Sequence, residues 1–127
     1  MRNVDSSAWI EWLSGSDLGR RLANELPAND EWIVPTVIQY ELKRWALRTR
    51  SDRQADVALA FSNTLILYPL DSELAFKAAD MAAQHSLAMA DAIIYATAMD
   101  VGADLLTCDA HFANLPGVVY FAKTPSP

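Results

Sequence analysis

Four acidic side chains, Asp5, Glu41, Asp91 and Asp109, stand in this sequence where a carboxylate needs a physical reason. Asp5 and Asp109 each close a short apolar run, NVD and LLTCD, that reads as the end of a β-strand. Glu41 lies in TVIQYELKRW, four residues after Val37 and four before Trp45, so it shares a helical stripe with two residues expected to face a core. Asp91 is the only formally charged side chain from Gln84 to Met99 when His85 is neutral, and Ala88, Ala92, Tyr95, Ala96 and Met99 recur around it at helical spacing. A carboxylate buried without a partner shifts its pKa or recruits a cation. Each acid taken singly has an ordinary explanation. Asp5 and Asp109 can form turns or cap helices, Asp91 can cap its helix, and Glu41 can pair with Arg44 at i+3. Taken together, two strand ends and two core-facing helix positions can converge on one cleft, where mutual repulsion is relieved by raised pKa values or a divalent ion. Oxygen ligands without a Cys–His set favour Mg2+ or Mn2+ over Zn2+. One or two such ions can activate a water for in-line attack on a phosphodiester and neutralise the leaving oxygen. Phosphodiester hydrolysis is the chemistry this residue set suits.

The elements that would position these acids follow from periodicity and punctuation. Strands are expected over 2–4, 32–34, 65–68, 104–107 and 118–121. Ser6 or Ser7 can cap a first helix that ends at Gly15 and Ser16, and Leu18, Leu22, Ala23 and Leu26 repeat at helical spacing until Pro27. Pro35 and Thr36 open a long helix to about Arg48, and Ser51 with Asp52 restarts another, so an αα-hairpin is expected there. Asp71 and Ser72 cap a helix through Ala83, and MADAIIYATAM forms one more, closed by Gly102. Strands alternating with helices imply an α/β fold: a three-layer α/β/α sandwich with a central, mostly parallel sheet of four to five short strands. One domain over residues 1–122 with a frayed tail over 123–127 is expected.

At 127 residues, the chain has the length of one domain, and 52% hydrophobic against 20% charged residues excludes a disordered chain. Cys108 is the only cysteine, so no intramolecular disulfide can form, which suits a reducing cytoplasm. No signal-peptide pattern and no membrane-length apolar run is present, so a cytoplasmic protein without membrane attachment is expected. The net charge of −6 argues against gripping nucleic acid by bulk electrostatics. The positive charge is nonetheless concentrated, with Lys43, Arg44, Arg48, Arg50 and Arg53 in one short run. That run is either a phosphate-binding patch or a solvated helix face.

The four segments carrying the acids resemble those of PIN-domain ribonucleases, and within that group the VapC toxins of bacterial toxin–antitoxin pairs. VDSSAWIEWL resembles the family's opening strand and helix and gives Asp5; YEL resembles its helical Glu and gives Glu41. MADAIIYATAM resembles its Asp followed by an Ala-rich helix and gives Asp91, and LLTCDAHFANLPGV resembles its closing segment and gives Asp109. The resemblance implies an Mg2+-dependent endoribonuclease (Mn2+ being the other option), with Asp5, Glu41, Asp91 and Asp109 as metal ligands and catalytic acids. It implies that Ser6 or Thr107 holds a carboxylate or a metal water, and that Lys43, Arg44 and Arg48 position RNA phosphates if they border the cleft. It also implies a homodimer and a cognate antitoxin whose C-terminal segment lies across the cleft; Trp9, Trp12 and Trp45 are candidates for an apolar interface, although aromatics at helical spacing are more often core than contact surface. One departure stands out: where many relatives carry a further acid two residues after the last Asp, this chain has His111, which reads either as a phosphate donor or as a surface histidine without a role.

Two other functions compete. A receiver-like phosphoacceptor domain shares the fold class, but it needs adjacent acids after the first strand and a Lys near the end of the fifth, whereas Asp5 is followed by Ser6 and Ser7, and Lys123 lies in the tail. A non-enzymatic binding module would leave all four acids as caps and ion pairs.

Overall fold

Five short apolar runs pair side by side, and every pairing is parallel: β1 (Arg2–Val4), β2 (Trp32–Pro35), β3 (Ile66–Tyr68), β4 (Asp104–Thr107) and β5 (Val118–Tyr120), in the order β3-β2-β1-β4-β5. This computed structural model describes residues 1–49 and 52–123. The expected break at Arg50 and Ser51, and the tail from Thr124 onward, lie outside the described residues. The helices are α1 (Ser6–Ser14), α2 (Asp17–Leu22), α3 (Thr36–Thr49), α4 (Asp52–Ser62), α5 (Ser72–His85) and α6 (Met89–Asp100). The single helix expected between Leu18 and Leu26 is instead a short α2 that tightens into a 3-10 turn over Ala23–Glu25.

A parallel sheet requires a crossover between successive strands, and the strand order sends these crossovers in two directions from β1. Right-handed connections therefore place α1 to α4 on one face and α5 and α6 on the other, giving the three layers expected from the sequence. On the first face Trp9, Trp12, Trp32 and Phe61 pack into one aromatic cluster, with Trp9 and Trp32 ring centroids 4.8 Å apart. Trp9 is fully buried, so it belongs to the core and offers no contact surface; Trp12 is partly buried in the same cluster. On the second face α6 is buried from Ala92 to Ala98, which explains its near-continuous apolar sequence. α5 covers it, and α3 and α4 pack together as the expected hairpin. No helix among the described residues is long and apolar enough to cross a membrane.

The approach of α2 to α1 depends on Gly19. A Cβ there would overlap the backbone carbonyl of Glu11 and come within 2.9 Å of the Trp12 Cα. Because the obstacle is backbone, no side-chain rotation relieves it. Gly19→Ala is expected to lower stability by about 2–3 kcal/mol, visible as a fall of several degrees in the thermal midpoint. An unchanged midpoint would mean that α2 shifts freely.

Candidate active site

Crossovers leave β1 and β4 in opposite directions although the two strands are neighbours, so a crevice opens beyond their carboxyl ends, the usual ligand position in an open parallel sheet. Asp5 follows β1 directly, and Asp109 follows β4 after Cys108. α3 starts where β2 ends, which puts Glu41, in its second turn, at the same end of the sheet. α6 runs back toward the start of β4, so its first turn, which contains Asp91, also lies at the carboxyl end. The topology thus brings all four acids to one end.

Asp5 is only 2% exposed and is the N-cap of α1, a position expected for Ser6 or Ser7. Its side chain makes no capping hydrogen bond. Instead Oδ2 accepts from Ser7 Oγ at 2.6 Å and from Thr107 Oγ1 at 2.8 Å. Each hydroxyl is held in turn: Ser7 Oγ accepts from the Cys108 N–H and Thr107 Oγ1 from the Asp109 N–H, both at 2.9 Å. Of the two residues expected to brace a carboxylate, Thr107 serves Asp5 and Ser6 serves Glu41, donating to Oε1 at 3.0 Å. Ser7 was not among the expected residues. A serine in a first helical turn looks the same in sequence whether it braces a distant carboxylate or faces water.

Asp91 and Asp109 form the tightest part of the cluster, and His111 joins them. Its Nδ1 lies 3.2 Å from Asp109 Oδ1 and 3.6 Å from Asp91 Oδ2. One donor atom from each of the three residues lies within 4.8 Å of the others. Asp5 and Glu41 stand outside that group. Asp91 is not a helix cap: Ala88 occupies that position, and Asp91 sits in the first turn. The alternative pairing of Glu41 with Arg44 does not form among the described residues; Glu41 is bonded to Ser6.

The four charges are mutually unfavourable. Burial lifts the Asp91 carboxyl to about 6, helped by Asp109 and Asp5 and opposed by His111. Asp5 rises first through burial, against the hydrogen bonds from Ser7 and Thr107. Glu41 rises through burial, with Asp5, Asp91 and Asp109 adding to it and Ser6 opposing it. A carboxyl whose folded pKa lies above its unfolded value destabilises the fold when ionised. The native state then takes up protons first, and stability from these groups grows as pH falls from above the folded value toward about 4. For Asp91 the shift corresponds to about 3 kcal/mol. In EDTA the protein is therefore expected to melt several degrees higher at pH 5 than at pH 7.5. Mn2+ is expected to raise the midpoint more at pH 7.5 than at pH 5, because a cation relieves only ionised repulsion. Scanning calorimetry checks both, and equal midpoints at the two pH values in EDTA would contradict this electrostatic picture.

Cys108 is buried, and burial pushes its thiol up to about 11, which removes it as a nucleophile. Beside Glu41, a cavity of about 230 Å³ is lined by Tyr40, Glu41, Arg44 and Arg48. Lys43 lies outside that lining. Arg44 and Arg48 are exposed one helical turn apart and form no ion pair among the described residues. Tyr40, one turn before Arg44, had no place in the sequence reading.

No curated protein sequence matches the chain. Among solved structures, a toxin–antitoxin complex from Klebsiella pneumoniae is 22% identical with a TM-score of 0.78, covering 94% of this chain and 96% of that one. VapC20 from Mycobacterium tuberculosis, a sarcin–ricin loop cleaving toxin, is 19% identical with a TM-score of 0.76, covering 93% and 97%. DNA-bound VapBC from Salmonella typhimurium is 16% identical with a TM-score of 0.70, covering 95% and 96%. At these identities the likeness is one of fold. The PIN domain model, however, matches residues 3–118, which take in all four acids, and with that extent of match the chain belongs to the PIN domain family.

Proposed function

We propose that this chain, as a single domain over residues 1–122, is a metal-dependent endoribonuclease and the toxin of a toxin–antitoxin pair. The observation that carries the reading is the convergence of Asp5, Glu41, Asp91 and Asp109 at the switch point of the sheet, with hydroxyls committed to orienting two of them. Three carboxyls raised by burial and by one another in one crevice support a site that takes a cation. The donor set fits a hard divalent ion: carboxylate oxygens, no thiolate, and one imidazole at the edge. When bound by the four acids, Mg2+ or Mn2+ supplies activation of water and neutralisation of the leaving oxygen.

The protein's own groups do the positioning. Thr107 and Ser7 fix the rotation of the Asp5 carboxylate, and Ser6 fixes that of Glu41. Arg44 and Arg48, beside Glu41, hold successive phosphates of the RNA strand, with Lys43 contributing only long-range attraction. The toxin role is supported by family membership and by fold neighbours that include a toxin–antitoxin complex and a sarcin–ricin loop cleaving toxin. By the same reasoning the partners are a cognate antitoxin, with a segment obstructing the cleft, and a second copy of the chain. The working compartment is the cytoplasm.

Water attack and attack by the neighbouring 2′-hydroxyl leave different ends. The first gives linear phosphate monoesters, the second 2′,3′-cyclic phosphates. Products from antitoxin-free protein are expected to carry only linear ends, and an RNA with 2′-O-methyl groups at the cleaved site is expected to remain a substrate. Cyclic ends, or resistance of the methylated RNA together with normal binding, would refute water attack. Replacing Arg44 and Arg48 together by Ala is expected to raise KM about tenfold, to leave kcat within about threefold, and to lower the salt slope of binding by about 1–2. An unchanged KM would remove these residues from the RNA path.

A further inference from the structure

We propose that His111 Nδ1 is a direct ligand of the ion, so that this site has a mixed nitrogen and oxygen donor set that selects Mn2+ over Mg2+. The inference rests on the metal-site reading above and assigns a role to a residue that reading leaves at its edge. Ligands about 2.1 Å from an octahedral ion lie about 3.0 Å apart when adjacent and about 4.2 Å apart when opposite. Nδ1 is 3.2 Å from Asp109 Oδ1 and 3.6 Å from Asp91 Oδ2, and the three donors stay within 4.8 Å of one another. The two separations from Nδ1 fall between the adjacent and the opposite spacing of ligands around one ion.

The side chain is 76% exposed, yet its backbone is fixed. Asp109 Oδ1 accepts the His111 N–H at 2.9 Å, and the 3-10 turn Ala110–Phe112 is anchored by Phe112, which is fully buried and stacks on Tyr95. Tyr95 in turn donates to the Pro116 carbonyl at 2.7 Å, tying the far side of the same loop to α6. The imidazole therefore projects from a braced turn between two acids. Mg2+ prefers an all-oxygen shell with several retained waters, whereas Mn2+ accepts imidazole beside carboxylates. A nitrogen donor here discriminates between them without any change in the acids.

Mn2+ binding read by electron paramagnetic resonance tests this without reference to cleavage. Wild-type protein with Mn2+ is expected to show nitrogen-14 modulation of the electron spin echo, and His111→Ala is expected to lose it. The ratio of Mg2+ to Mn2+ dissociation constants, measured by competition, is expected to fall about tenfold in His111→Ala and further in His111→Asp, which restores an oxygen donor. Circular dichroism confirms the fold of these surface variants. Mn2+ bound without nitrogen modulation, and with an unchanged ratio in His111→Ala, overturns the proposal and leaves the carboxylate site standing with His111 as a counter-ion. No Mn2+ binding by any variant overturns both.

Discussion

Asp91→Asn is expected to move activity and stability in opposite directions. Cleavage of RNA should fall by about 10³-fold or more, equivalent to about 4 kcal/mol of lost transition-state stabilisation. The metal-free protein should at the same time become more stable by about 1–3 kcal/mol, because the substitution removes the negative charge whose burial and neighbours lift it to about 6 while keeping the shape of the side chain. Asp91 is 18% exposed and lies in the first turn of α6, whose N-cap is Ala88. A conserving role, in which Asp91 merely favours the N-terminus of α6, predicts the reverse: a small loss of stability and little change in rate. Paired chemical denaturation in EDTA and single-turnover cleavage in Mn2+ separate the two. A variant that lost activity only because it lost structure would contradict the account as clearly as one that kept its activity.

The second large effect is expected at Thr107, which never needs to touch substrate. Its hydroxyl is fully buried, donates to Asp5 Oδ2 at 2.8 Å, and accepts the Asp109 N–H at 2.9 Å. One group thereby orients the Asp5 carboxylate and holds the backbone at Asp109. Thr107→Val keeps the shape and removes both bonds, leaving a buried carboxylate with one hydroxyl fewer. Metal affinity and kcat are expected to fall about 10–100-fold, as for other residues that orient a ligand from behind. Thr107→Ser restores the hydroxyl and is expected to recover most of the loss, which a packing defect would not do. Ser7→Ala should resemble Thr107→Val, since Ser7 donates to the same oxygen at 2.6 Å and accepts from the Cys108 N–H. Calorimetric Mn2+ titration of the three variants checks this, and wild-type affinity in Thr107→Val would show that the hydroxyls are incidental.

Much of this arrangement was legible in the sequence because its signals are local. β1 and β4 end where apolar runs meet Asp5 and the polar turn before Asp109, and their bounds match the expected strands. α6 was legible because Asp91 interrupts an otherwise uncharged segment, and burial from Ala92 to Ala98 explains why so little polarity is tolerated there. β2, β3 and β5 differ from expectation by one residue each: Pro35 pairs with Tyr68 and extends β2, whereas Leu65 and Phe121 are apolar but lie beyond the ladder pairings. What sequence could not supply was contact between distant segments. Ser7 and Thr107 stand 100 positions apart, and only the pairing of β1 with β4 brings them to one carboxylate. His111 was ambiguous for a different reason: its direction depends on an Asx turn closed by Asp109 and on the burial of Phe112, neither visible in a loop sequence. Trp9 fits the core reading that aromatics at helical spacing usually carry, and Trp32 and Phe61 enclose it.

The most direct test of the central claim is cleavage of a mixed cellular RNA pool by purified, antitoxin-free protein in Mg2+, in Mn2+ and in EDTA, with Asp5→Asn assayed beside the wild type. Asp5 is the informative position because it lies on a different segment from Asp91, Asp109 and His111 and is joined to them only by the fold. Discrete fragments are expected from the wild type in either metal, none in EDTA, and none from Asp5→Asn. Equal fragment patterns from both proteins, or fragments that persist in EDTA, would contradict a metal-dependent nuclease site built on the four acids.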